Sequence, residues 1–126
     1  MTRAELYGFL SRHKLGVLAY LSEQGTPWSV WVGIAVTPEL EIVFDTVSSS
    51  RKYGDLFANR AACFVIGWDG EMTAQYEGQA FQPAAAELTR YQQIYFEAWP
   101  DGPERLSWPG IAWLRRASPM DPLWRF

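Results

Sequence analysis

The chain has 126 residues, 48% hydrophobic and 20% charged, with a formal charge of −3; this composition suits one globular domain over residues 1–126 and excludes an intrinsically disordered chain. An isoelectric point near 5.1 gives no long-range attraction to nucleic acid or an anionic membrane, so any anion must be recognised locally. One cysteine, Cys63, and one histidine, His13, exclude an internal disulfide and a zinc site of the Cys/His kind.

Thr2-Arg3-Ala4-Glu5 has the form of a capping box, and Leu6, Phe9 and Leu10 follow at helical spacing, which predicts an opening helix of about three turns with His13 at its end. Met1 to Glu5 lacks the apolar stretch of a signal peptide, and no apolar run reaches the ~18 residues that span a bilayer. A soluble, cytoplasmic protein with no membrane partner is expected. Leu15 to Ser22 and Trp28 to Val36, separated by the turn-forming Glu23-Gln24-Gly25-Thr26-Pro27, predict a hairpin. Thr37-Pro38-Glu39 makes the next turn, and Leu40 to Thr46 a third strand with Leu40, Ile42 and Phe44 on one face. A short helix over Arg51 to Asn59 is followed by a second hairpin, Ala61 to Trp68 and Glu71 to Phe81, around Asp69-Gly70. Cys63 within it reads as a buried small hydrophobe. Pro83 suits the first turn of a further helix whose apolar stripe is Leu88, Tyr91, Ile94 and Tyr95. A loop from Trp99 to Pro103, a sixth strand from Gly110 to Arg115, an irregular tail from Ser118 to Pro122 and a brief edge pairing by Leu123 to Phe126 complete the chain.

Six antiparallel strands with short turns and small corner helices predict a mainly β fold, a small barrel whose closure removes exposed edges. In the second strand Trp28, Val30, Val32, Ile34 and Val36 share one side, while Trp31 and Ala35 lie on the other with Ser29 and Gly33. One side fills the barrel. The other needs cover, which a symmetric second copy supplies most simply, so a homodimer is expected.

Between the third strand and the second helix stands Phe44-Asp45-Thr46-Val47-Ser48-Ser49-Ser50-Arg51-Lys52. A helix N-terminus already carries roughly half a positive charge, so hydroxyls and two cations placed there suit a bound anion, on which N–H groups, hydroxyls and basic side chains converge. The same residues also fit a helix capped by Ser50 with Arg51 and Lys52 in water, and the motif alone leaves both readings open. Arg90 and Arg105 read as surface charges, Glu39 and Glu41 as a solvated turn, and Trp28, Trp68 and Trp99 as packing or interface residues, with Trp108 and Trp113 ambiguous.

Asp45-Thr46, Ser48 to Lys52 and Tyr53-Gly54-Asp55-Leu56 resemble the FMN-binding signature of the pyridoxamine 5′-phosphate oxidase-like split-barrel family. Leu15 to Leu21 and Gly25-Thr26-Pro27 resemble its opening hairpin, Glu77-Gly78-Gln79-Ala80 a later strand, and Tyr95 to Arg115 is similar to a short single-domain branch. The resemblance implies a six-stranded antiparallel split barrel and a tight homodimer with FMN between the subunits. It implies that Arg51 and Lys52 bind the FMN phosphate with Ser50 and Thr46, and that Asp45 lines the same loop. It further implies that Val30, Trp31 and Val32 offer backbone groups to the isoalloxazine, that Thr73 meets the phosphate or ribityl end, and that Trp124 is the aromatic contributed by the other subunit. Val30 and Ala35 stand where the oxidases carry Arg and Lys, and the only histidine lies far from their C-terminal Arg-x-His element. The family's terminal Trp-x-Arg-Tyr pattern is altered here to Trp124-Arg125-Phe126. These departures argue against pyridoxal phosphate synthesis. The expected function is that of an FMN-dependent oxidoreductase acting on a small molecule, with a nicotinamide among its candidate reductants. A module holding FMN or a related flat cofactor without turnover is the alternative, and a cofactor-free dimer a third that the intact Ser50-Arg51-Lys52 element disfavours.

Overall fold

The strands join edge to edge in one antiparallel sheet. Its members are β1 (Leu15–Leu21), β2 (Pro27–Gly33), β3 (Ala35–Val36), β4 (Ile42–Val47), β5 (Ala61–Ile66), β6 (Ala74–Phe81), β7 (Ile111–Ala117) and β8 (Trp124–Arg125). They run in the order β2-β1-β5-β6-β7-β4-β3, with β8 on β6. The computed structural model describes residues 2–47, 50–68, 70, 72–100, 111–117 and 124–125. The Asp69-Gly70 turn, the loop beyond Pro100 with Arg105 and Trp108, and the 118–123 tail fall wholly or partly outside the described residues.

The two ends of this path, β2 and β3, are halves of a single stretch. Ile34 divides them because its N–H donates to the Lys14 carbonyl at 2.9 Å and its carbonyl accepts from Trp99 Nε1 at 3.0 Å, which takes both backbone groups out of the ladder. This break turns the six expected strands into eight, together with the two-residue β8. The sheet curls until β2 approaches β4, yet the order leaves β2 and β3 as its ends, so the barrel is split and not closed. Edges that closure was expected to remove therefore remain on β2.

The interior is filled by inward residues of the strands, among them Leu18, Ile42, Phe44, Phe64, Ile66 and Tyr76, with Leu6, Phe9 and Leu10 of α1 (Arg3–Ser11) plugging one end. Thr2 caps α1 as expected, accepting from Glu5 N at 3.1 Å. His13 Nδ1 donates to the Phe9 carbonyl at 2.7 Å, the hydrogen bond that a helix-end residue makes to an orphan carbonyl. Cys63 differs from expectation: Ala62, Phe64 and Ile66 take the inward positions of β5, so Cys63 is half-buried on the outer face.

A second core lies outside the barrel, where α3 (Ala85–Ala98) covers Ala35 and Val43 with Tyr91 and Tyr95. Pro83 precedes the N-cap, Ala84, instead of sitting in the first turn. Arg90 donates to both carboxylate oxygens of Glu39 at 2.8 Å, and the Tyr91 hydroxyl donates to Glu41 at 3.0 Å. The solvated turn expected at Glu39 and Glu41 is thus an anchor for α3, a contact invisible in sequence because 50 residues separate Tyr91 from Glu41.

Candidate functional site

Strand β4 ends in Thr46 and Val47, and after Ser50 the chain enters α2 (Arg51–Ala58), so a strand end and a helix start are brought together. Ser50 is the N-cap of α2; its Oγ accepts from Tyr53 N at 3.2 Å and lies 3.1 Å from the Oγ1 of the buried Thr46. Ser48 and Ser49 lie outside the described residues. No acidic residue occupies the first turn of α2; Arg51 and Lys52 stand there instead. Arg51 is exposed, whereas Lys52 is half-buried, and this desolvation lowers the Lys52 pKa against the opposing influence of the Asp45 carboxylate. The charged ammonium is therefore short of solvation at the positive end of a helix dipole.

Asp45 stands in β4 just before Thr46, and its Oδ1 accepts from the Tyr95 hydroxyl of α3 at 2.9 Å. Tyr95 also closes on β2, since a Cβ placed on Gly33 would lie 3.0 Å from its oxygen. Gly33, Tyr95 and Asp45 thus fasten the end of β2 to the end of β4. Continuing the Ala35↔Val43 and Val36↔Ile42 register toward β2 sets Val32 opposite Thr46. Among the described residues the edge of β2 away from β1 joins no ladder, which leaves alternate backbone N–H and C=O groups available near Thr46.

Of the other expected residues, Val32 is buried and paired with Gly16, while Val30 is 36% exposed and Trp31 is 68% exposed. Trp28 shares its side of β2 with Val30 and Val32 and is 39% exposed; only from Val32 onward does that side enter the core. Trp31 stacks on Trp68 with 6.3 Å between ring centroids and 8° between planes. Thr73 is used elsewhere: its hydroxyl donates to the Gly67 carbonyl at 2.7 Å and closes the end of the β5–β6 hairpin, with no hydrogen bond from it to Thr46 or Ser50. Trp124 pairs through its backbone with Tyr76 in β8, and its side chain lies outside the described residues.

Beside the α2 cluster, two further contacts went unread in the sequence. Tyr95 reaches Asp45 across 50 residues, and the Arg51 guanidinium lies 3.8 Å from the centroid of the Trp28 ring. Neither has a local spacing signal, because each joins elements brought together only by the curl of the sheet.

Residues 2–110 match the model of the family described as pyridoxamine 5′-phosphate oxidase. The chain belongs to that family. No curated protein matches it. Among solved structures, a heme binding protein from Mycobacterium smegmatis is similar at 18% identity and a TM-score of 0.78, over 92% of this chain and 51% of that one. This family member thus spans about half the length of that relative. The heme storage protein HutZ from Vibrio cholerae is similar at 13% identity and a TM-score of 0.79, over 95% and 92% of the two chains. General Stress Protein 26 from Bacillus anthracis matches at 15% identity and a TM-score of 0.73, over 98% and 96%. At these identities the likeness carries the split-barrel fold, and within that fold the family member's own residues must carry its chemistry.

Proposed function

We propose that this member of the pyridoxamine 5′-phosphate oxidase family is a cytoplasmic FMN-binding flavoprotein that acts as a homodimer in redox chemistry on a small molecule. The observation that carries the reading is the Thr46–Ser50–Arg51–Lys52 cluster, where two hydroxyls 3.1 Å apart and two cations meet the N-terminus of an α2 that has no acid in its first turn. An empty helix start gains nothing from cations. A phosphate dianion resolves the conflict by accepting from N–H groups and hydroxyls and restoring the favourable surroundings that the half-buried Lys52 lacks. Such a dianion fits the donor set, and FMN is a flavin that ends in one. Thr46, Ser50, Arg51 and Lys52 would hold that end, the free edge of β2 at Val30, Trp31 and Val32 would face the polar rim of the ring, and FMN when bound would supply the electron transfer.

The outward side of β1 and β2 carries Leu15, Val17 and Trp31 beside Trp68, an apolar surface of the kind a second copy would cover. Thr73, committed to Gly67, drops out as a phosphate ligand in this reading. Holding the cofactor without turnover is the second reading, favoured by Val30 and Ala35 standing where the oxidases carry an Arg and a Lys that help hold cofactor and substrate phosphates. The visible spectrum of the purified protein tests the proposal. Flavin absorption that bleaches on adding NADH, NADPH or dithionite is expected; bleaching by dithionite alone favours the module, and a heme Soret band or a colourless protein that ignores added FMN overturns both.

A further inference from the structure

Among the described residues five cations lie over aromatic rings, and four of them are loose: Arg12 over Phe9, Lys14 over Trp99, Arg60 over Phe81 and Arg90 over Tyr91 stand 5.4–5.8 Å from the ring centroids. Arg51 over Trp28, at 3.8 Å, is close enough for van der Waals contact with the ring, a separation that suits a guanidinium laid flat on an indole. It is also the one of the five that belongs to the cluster at the start of α2.

From this contact we infer that Trp28 is a positioning residue that sets Arg51 for a terminal phosphate and so gives the site its preference for a phosphorylated flavin over the unphosphorylated one. The inference rests on the FMN reading above. A guanidinium presents two different surfaces: its flat face stacks on an indole, and all five N–H donors point outward in its plane. Stacking on Trp28 occupies the face and leaves the donor rim free for a bidentate contact with phosphate oxygens. An exposed arginine at the first position of a helix otherwise samples many rotamers, and ordering a long side chain costs conformational entropy when a ligand arrives. Trp28 makes that restriction part of the folded protein, since its backbone is fixed by pairing with Tyr20 in the β1–β2 ladder. Lys52, the next residue on α2, is half-buried beside Asp45. One cation is therefore held from the strand side by an indole, the other from within by a carboxylate. Trp28 lies on the edge strand where the apolar alternation has not yet entered the core, so a packing role in the barrel does not account for its placement.

The experiment compares wild type with Trp28→Leu and Trp28→Phe, titrating each with FMN and, separately, riboflavin. In Trp28→Leu the FMN dissociation constant should rise roughly threefold to tenfold with that of riboflavin unchanged, and Trp28→Phe, which keeps an aromatic face, should recover most of the loss. Arg51→Ala should cost less in the Trp28→Leu background than in wild type, because the two residues act as one unit. In the ligand-free protein the Arg51 Nε–Hε resonance should carry a ring-current shift that disappears in Trp28→Leu. Equal weakening of both flavins, or an unchanged FMN-to-riboflavin ratio, overturns the positioning role while leaving the FMN site standing. Wild-type protein that binds neither flavin overturns the FMN reading itself, and the positioning role with it.

Discussion

Two flanks of the same barrel carry similar aromatic and aliphatic side chains and meet opposite fates. On the β3–β4 flank, Ala35 and Val43 are buried under Tyr91, Tyr95 and Trp99 of the α3 region, with Tyr95 and Trp99 also hydrogen-bonded to Asp45 and the Ile34 carbonyl. On the β1–β2 flank, Trp28, Val30 and Trp31 remain exposed, joined by Leu15 and Trp68. Apolar surface on a sheet face drives burial wherever a partner can reach it. The chain supplies a helix for one flank; for the other, among the described residues, it offers only a pair of stacked indoles and a guanidinium. The covered flank is an outer core, and the bare one borders the candidate site and has surface to spare for ligand or partner.

Removing the keystone of the covered flank gives the largest effect expected. Tyr95→Ala deletes a fully buried ring and its hydrogen bond to Asp45, and should cost about 3–5 kcal/mol of unfolding free energy in urea titrations. A loss below about 1 kcal/mol would mean that α3 is not holding β3 and β4 together.

Next in size is Lys52→Met at the border of the bare flank. FMN affinity should fall by about 1.5–3 kcal/mol, the scale of a charge-assisted hydrogen bond, while the ligand-free protein becomes more stable because a partly desolvated charge is gone. Burial lowers the folded-state pKa of Lys52, so between its folded and unfolded pKa values the native state binds fewer protons than the unfolded state. The stability of the ligand-free wild type should therefore rise with pH across that alkaline window, relative to Lys52→Met measured in parallel. A variant that loses stability and keeps its affinity would show that Lys52 is a packing residue.

Trp31→Ser probes the bare flank directly. Its ring is mostly exposed and stacks only on another exposed ring, so the stability of the isolated chain should change by less than about 1 kcal/mol. The proposed homodimer should nonetheless dissociate in sedimentation velocity runs. An intact dimer with unchanged affinity would move the interface elsewhere.

The smallest change is expected at the solvent-facing rim of the covered flank. The hydrogen bonds from Arg90 hold the Glu39 carboxyl below its usual range, so its contribution is present at neutral pH and is lost as pH falls through the lowered folded-state value. Both side chains are about half exposed, and Glu39→Gln should cost no more than ~1 kcal/mol at pH 7, and less in high salt. Thermal melts at pH 7 and in acid, compared between variant and wild type, measure it.

Much of this was legible in the residues. The Thr2 cap, the helix following Ser50, the antiparallel pairing of β5 with β6 and the short edge pairing at Trp124 and Arg125 all follow from local chemistry: a hydroxyl three residues ahead of an N–H, alternation of period two, and turn-forming residues between apolar runs. The grouping of Thr46, Ser50, Arg51 and Lys52 was legible for the same reason, because it lies within one strand-to-helix junction. The commitment of Thr73 to Gly67 was not, nor was the outward turn of Cys63. A run such as Ala61 to Ile66, apolar at every position, does not say which of its faces the barrel will take.

By itself the sequence determined the elements, their caps and turns, the family, and the concentration of hydroxyls and cations at the start of α2, since each depends on neighbours a few residues apart. Only the tertiary structure decided that the split of the expected barrel falls at Ile34, that α3 claims one apolar flank and leaves the other bare, and that Tyr95 grips Asp45 while Trp28 carries Arg51. Those outcomes depend on how a twisted sheet curls and on which distant side chains that curl brings within a few ångströms, and no local spacing along the chain encodes that distance.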